Sequence, residues 1–228
     1  MGEAPLLEAL LELIAPTRCA GCDLPGAVLC ERCRAAAKSI DARWACPRCG
    51  APFGYLTCTE CWNREITFEA AIALGVLERP LSRCITLYKD AGERRMAAEL
   101  GRLLAQALSS WDGWGQCVVA IPASRAAIAR RGFDHADALA AVLARELGIP
   151  QVHALSHARA RDQRGLTRTE RRANAASALV AIPEALLGGQ VLLVDDVFTT
   201  GATLDAAAGV LMAAGAHEVR AAVLARAW

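Results

Sequence analysis

The sequence predicts an α/β domain on a parallel sheet, preceded by a small cysteine-rich module that folds around metal. Three observations predict it. Eight of the ten cysteines fall into four C-x-x-C pairs, the last closing at Cys61. Beyond Cys61, segments of strand type and helix type alternate, which argues for a parallel sheet covered on both faces. Within that alternation, Val191 to Leu204 reads as a buried strand, two carboxylates, a loop of hydroxyls and glycine, and then a helix.

The size is right for both parts. The chain has 228 residues, enough for one ordinary domain and a small one, and 54% of them are hydrophobic. A net charge of +1 excludes a polyanion-binding surface spread over the whole molecule, so any nucleic-acid contact must be local. In Met1 to Ala15, Glu3, Glu8 and Glu12 stand where a secretory signal would carry positive charge. Leu6, Leu7, Leu10, Leu11, Leu13 and Ile14 give an apolar face at helical spacing, which predicts an amphipathic helix over residues 1–16. That helix packs on its own protein or docks on a partner; it is too short and too acidic to span a bilayer. No other stretch is long and apolar enough to cross a membrane, and a cytoplasmic location is expected.

The cysteine pairs are Cys19/Cys22, Cys30/Cys33, Cys46/Cys49 and Cys58/Cys61, with seven, twelve and eight residues between successive pairs. A C-x-x-C knuckle aims two thiolates at one ion, and two knuckles complete a tetrahedral site. Gly21, Gly50 and the Pro47-Arg48 step suit the tight turns required. A disulfide scaffold is the alternative, but it belongs to oxidising compartments and no secretory signal is present. Redox chemistry needs no four copies at this spacing. Residues 17–65 therefore read as a double zinc ribbon. Cys19, Cys22, Cys30 and Cys33 would hold one Zn²⁺ and Cys46, Cys49, Cys58 and Cys61 the other, with an interleaved pairing as the alternative. All-thiolate sites are structural, and metal binding would supply most of the folding energy of so small a segment. Cys84 and Cys117 lie in apolar surroundings and read as buried small hydrophobes.

Residues 66–228 carry the α/β pattern. Strands are expected over Phe68–Leu77, Cys117–Ile121, Val152–Leu155, Gln190–Val194 and Glu218–Leu224. Helices are expected over Glu93–Ser110, Asp134–Leu147 and Ala202–Ala214, with a helical turn over Glu170–Ala176. Three polar segments interrupt the pattern. In the first, Asp195 and Asp196 fall where a buried strand ends, the place where open α/β sheets bind ligands. Adjacent carboxylates can accept hydrogen bonds from neighbouring ribose hydroxyls. Thr199, Thr200, Gly201, Ala202 and Thr203 follow at a helix start, where free amides and the helix dipole favour a phosphate. An acidic turn with a threonine cap is the plainer reading of the same residues. In the second segment, Ser124 and Arg125 follow the Ile121 strand, and the planar fork of an arginine suits a pyrophosphate. The third, His157 to Asn174, carries six arginines against two acids. It reads as a lid over a charged substrate, a track for nucleic-acid phosphates, or a solvated face.

The run Val191 to Leu204 resembles the phosphoribosyl-pyrophosphate signature of type I phosphoribosyltransferases. The chain as a whole resembles the ComF-type competence and DNA-utilisation proteins, in which a zinc ribbon precedes a type I phosphoribosyltransferase-like domain. The cysteine pairs carry this likeness, with Tyr88-Lys89, Gly92-Glu93-Arg94, Arg131-Gly132-Phe133, Gln163 to Leu166, Glu170-Arg171 and Asn174. The chain departs from the family in Asp134-His135, where Asn-Gln is usual, and in Asp90, where an aromatic often stands.

The resemblance implies a protein that handles incoming single-stranded DNA, or DNA used as a nutrient, together with partners of the DNA-uptake machinery. It also implies phosphoribosyl transfer from phosphoribosyl pyrophosphate with Mg²⁺. Thr199 to Thr203 would hold the 5′-phosphate, Asp195 and Asp196 the ribose hydroxyls, and Ser124 and Arg125 the pyrophosphate. His135 and His157 are candidates for a general base by location. The competing classes are a nucleotide- or single-strand-binding protein without turnover, with Tyr55 and Trp62 as stacking side chains, and an assembly module.

Overall fold

The computed structural model describes residues 16–52, 54–158, 179–182 and 188–228. The expected helix over residues 1–16 and the arginine-rich segment beyond Ala158, with its helical turn, lie almost wholly outside them. Two short helices, α1 (Glu31–Ala36) and α2 (Thr59–Trp62), belong to the cysteine-rich region. There follow β1 (Ala70–Val76), α3 (Leu81–Asp90), α4 (Met96–Ala107), β2 (Cys117–Ala120), α5 (Arg125–Arg131) and α6 (His135–Leu147). Then come β3 (Leu155–His157), β4 (Leu179–Ala181), β5 (Gln190–Phe198), α7 (Ala202–Ala213) and β6 (Glu218–Arg226).

Four strands form one parallel sheet in the order β1-β6-β5-β2. The continuous apolar run of β5 is explained by burial on both faces. Val191 and Leu193 join one hydrophobic cluster, Leu192 and Val194 the other. Helices α3, α4 and α6 cover the second face, and α7 covers the first.

The cysteine-rich region straddles the sheet. Cys19 and Cys33 pack into the cluster with α3, α4 and α6, whereas Cys46, Cys49 and Cys61 pack into the cluster with α7. Between them, Lys38 to Ile40 runs along the free edge of β1. The Ile40 N–H donates to the Leu74 carbonyl at 3.0 Å and the Val76 N–H to the Lys38 carbonyl at 2.9 Å. This closes an edge that would otherwise expose unpaired backbone groups. A Cβ on Gly75 would stand 2.7 Å from the Lys38 carbonyl oxygen, so the close approach requires glycine there.

Three elements differ from expectation. The apolar stretch from Leu81 is helix α3, with Leu81, Cys84, Ile85 and Tyr88 buried at helical spacing. Arg125 to Arg131 is helix α5 rather than loop, capped by Ser124 and ended by left-handed Gly132. The strand expected at Val152–Leu155 forms at Leu155–His157 and pairs antiparallel with β4 in a separate two-stranded sheet; only Gln151 bridges to β2. No helix among the described residues is long and apolar enough to cross a membrane.

Candidate functional site

β5 runs four residues past its expected end, so Asp195 and Asp196 sit within its last turn of pleat rather than beyond it. Neighbouring side chains on a strand leave it on different sides. Asp196, 4% exposed, enters the face covered by α3 and α6. There its Oδ2 receives the Lys89 ammonium, from the end of α3, and His135 Nε2 at 3.1 Å, from the start of α6. Arg131 Nη1 lies 3.3 Å from His135 Nδ1. An arginine only donates, so Nδ1 accepts and Nε2 carries the proton given to Asp196. Tyr88 Oη donates to the His135 carbonyl at 2.5 Å, and Arg131 also pairs with Asp90 at 3.0 Å.

Asp195 is half-buried, and its Oδ1 accepts the Asp196 N–H at 2.8 Å. Ligand atoms of His135, Asp195 and Asp196 all lie within 4.8 Å of one another. The two carboxylates are pushed apart in acidity. Burial, and then the charge of Asp196, raise Asp195 to about 8. Burial also opposes ionisation of Asp196, but the hydrogen bonds from His135 and Lys89 outweigh it and hold Asp196 well below the usual carboxylate range. The backbone and side-chain donors around the pair reach Asp195 Oδ1 and Asp196 Oδ2.

The loop that follows turns sharply. Gly201 has φ 77°, and a Cβ there would meet Phe198 Cε2 at 2.5 Å. That places a glycine between a buried phenyl ring and the first turn of α7. Thr199, Thr200, Ala202 and Thr203 are exposed, with the N-terminal amides of a twelve-residue helix beside them. On the neighbouring strand end, Ser124 Oγ accepts the Ala127 N–H at 3.2 Å, and Arg125 is exposed. Asp134 caps α6 through the N–H groups of Ala136 and Asp137 and also accepts the Ala123 N–H at 2.8 Å, which ties this loop to α6. His157 Nε2 meets the Pro122 carbonyl at 2.9 Å. Phe133 packs edge-on against Tyr88 at 5.7 Å.

Lys89 and Arg131 were missed as site residues from the sequence alone, and His135 was named there only as a general-base candidate by location, not as the partner of Asp196. Tyr88-Lys89 and the Arg131-Gly132-Phe133 turn were visible only as marks of the family likeness. The signal that could have found them is the helical spacing of α3, which ends with Lys89 level with the strand ends.

The eight cysteines gather as Cys19, Cys22, Cys30, Cys33 and as Cys46, Cys49, Cys58, Cys61, with the sulfurs of each set within 4.8 Å of one another. None is in a disulfide. Tetrahedral Zn–S bonds of about 2.3 Å put the sulfurs about 3.8 Å apart. Cys22 and Cys30 lie at 3.7 Å, Cys49 and Cys58 at 3.6 Å. The Cys30 N–H points at Cys19 Sγ and the Cys58 N–H at Cys46 Sγ, both at 3.3 Å. Burial opposes ionisation of Cys19, yet such backbone donors draw its pKa down to about 6. Both sets fit a closed tetrahedral ion. Cys84 and Cys117 are buried, and burial pushes both thiols up, Cys84 to about 11. Tyr55 and Trp62 are exposed, at 64% and 73%.

The model of the phosphoribosyl transferase domain matches residues 92–227. Competence protein F of Haemophilus influenzae is 31% identical over 212 residues, covering 87% of this chain and 90% of that protein. DNA utilization protein YhgH of Escherichia coli K12 is 28% identical over 222 residues, covering 91% and 96%. Among solved structures, the orotate phosphoribosyltransferase of Aeropyrum pernix is 18% identical, with a TM-score of 0.38, over 65% of this chain and 78% of that one.

Proposed function

Because the chain belongs to the phosphoribosyltransferase family, in the group that includes Competence protein F and DNA utilization protein YhgH, we propose that it binds phosphoribosyl pyrophosphate with Mg²⁺ at the end of β5. The observation that carries the reading is one strand end with two adjacent carboxylates followed by a glycine-turned helix start. Asp195 Oδ2 and Asp196 Oδ1 would receive the ribose 2′- and 3′-hydroxyls. Thr199 to Thr203 would surround the 5′-phosphate with hydroxyls and helix-start amides. The exposed Ser124 and Arg125 would face the pyrophosphate.

Lys89 and His135 do preparatory work. By occupying Asp196 Oδ2 they keep that carboxylate ionised and turn its other oxygen outward. They also fill the position a protein-held cation would take, and Mg²⁺ prefers oxygen ligands throughout. Mg²⁺ carried with the pyrophosphate would supply charge neutralisation for the leaving group, and Asp195 would be the carboxylate nearest to hold it. As the leaving group withdraws, positive charge grows at the anomeric carbon, as in other glycosyl transfers.

One observation favours a second reading. Both ring nitrogens of His135 are engaged, Nδ1 by Arg131 and Nε2 by Asp196, so this ring is not free to take a proton from an acceptor. A protein that binds the sugar phosphate without turnover, as a sensor or an assembly partner, fits that arrangement. In either form, the two cysteine sets hold structural Zn²⁺, and the protein serves natural competence or DNA utilisation, with single-stranded DNA and uptake proteins as partners.

Calorimetry with phosphoribosyl pyrophosphate and Mg²⁺ tests the site. The wild type should bind, and Asp195→Ala/Asp196→Ala should lose at least about tenfold in affinity, the value of one strong charged hydrogen bond. Unchanged affinity in the double variant refutes the assignment. Pyrophosphate release with candidate bases separates transfer from binding alone.

A further inference from the structure

We propose that the last knuckle of the second cysteine set is a working part of the phosphate loop, with Glu60 and Arg226 as its positioning residues. The proposal rests on the sugar-phosphate reading of that loop and adds to it a control from the cysteine module.

Arg226 ends β6 and is 3% exposed. Its Nη1 donates to the Thr199 carbonyl at 2.7 Å and to the Phe198 carbonyl at 3.3 Å. Its guanidinium lies 4.6 Å from the centroid of the Phe198 ring. A cation so deeply buried needs a carboxylate, and Glu60 supplies it, with Oε2 at 2.9 Å from Nη2. Glu60 belongs to α2, between Cys58 and Cys61. The planar fork of arginine lets one side chain reach the loop carbonyls and the carboxylate together.

Two more contacts run the same way. Arg64 Nη1 donates to the Thr200 carbonyl, and the Thr67 N–H donates to Asp205 Oδ1 at 2.7 Å, in the first turn of α7. The carbonyls of Phe198, Thr199 and Thr200 are thus all held by guanidinium groups. In a planar trans peptide the N–H points opposite to the C=O. Holding these three carbonyls therefore aims the N–H groups of Thr199, Thr200 and Gly201 away from the cysteine module, as a common donor surface for an anion. The Glu60–Arg226 pair closes on a segment whose shape the thiolates of Cys58 and Cys61 set.

The test uses the full chain and Glu60→Ala, with Glu60→Gln as the milder change. Hydrogen exchange of the amides at residues 199 to 203 reads the loop without any ligand. Calorimetry with ribose 5-phosphate, and separately with pyrophosphate, reads the two ends of the site, and native mass spectrometry counts bound metal. The proposal expects faster exchange confined to that loop. It also expects ribose 5-phosphate binding to be weaker by roughly fivefold to tenfold, with smaller losses in Glu60→Gln, and unchanged pyrophosphate affinity and metal content. Unchanged loop exchange overturns it, as does faster exchange across the whole chain, which would make the pair a general stabiliser. If the wild type binds no ribose 5-phosphate, the sugar-phosphate reading fails, and the exchange measurement still decides whether the pair positions the loop.

Discussion

Lys89 and Asp196 form an ion pair at the end of the central strands, and His135 shares the same carboxylate oxygen. The pair separates the two neighbouring aspartates into an anion and an acid. Asp196 is held ionised by its two donors, while Asp195, with burial and a negative neighbour against it, keeps its proton into the neutral range.

Lys89→Met should leave Asp196 buried with one donor. The Lys89 side chain is 30% exposed, so solvent already screens part of the interaction, and a loss of about 1–2 kcal/mol is expected. Urea denaturation across a pH series measures it. Asp196 has a lowered pKa, so its contribution is present above the ordinary carboxylate range and is lost as pH falls through its lowered value. Removing Lys89 raises that value, and acid unfolding should begin at higher pH.

Asp195 runs in the other direction. Its folded pKa is raised, so its contribution to stability is full below about pH 4 and fades as pH rises through about 8. If ribose hydroxyls donate to the ionised carboxylate, as proposed, affinity for ribose 5-phosphate should climb through the same range and level off above it. Titration calorimetry at several pH values reads this, and Asp195→Asn should flatten the climb. The phosphate's own ionisation, near pH 6, falls inside this range, and the Asp195→Asn variant shows its share of the climb.

Gly201→Ala should cost about 1–3 kcal/mol, because φ 77° disfavours any Cβ and the Phe198 ring occupies its place. Thermal unfolding should show the loss. Calorimetry should show weaker ribose 5-phosphate binding, since the ring or the helix start must shift to make room.

Native mass spectrometry should find two Zn²⁺ per chain, and Cys22→Ser or Cys58→Ser should each lose one. Because the two sets pack on opposite faces of the sheet, chelation should lower the unfolding temperature of the whole protein by at least about 10 °C. A transition confined to residues before Thr67 would show instead that the module melts by itself.

Much of this protein was legible in its sequence, for local physical reasons. Four C-x-x-C pairs declare two ligand sets, because a knuckle needs its thiols three residues apart. The strands and helices around β2, α6, β5 and α7 declare themselves through apolar runs, caps and glycines. The glycine of the Thr199–Thr203 loop declares a turn. Helix α3 was also written there, in Leu81, Cys84, Ile85 and Tyr88, but short apolar runs leave period and type ambiguous. What the tertiary structure decided are the pairings of distant residues. Lys89 meets Asp196 across 107 positions and Glu60 meets Arg226 across 166. A local pattern reports periodicity and turn chemistry; which charges meet depends on how helices cross the sheet. So the sequence names the loop and the two carboxylates, and the packing of α3, α6 and the second cysteine set determines which carboxylate is ionised and which loop carbonyls are held.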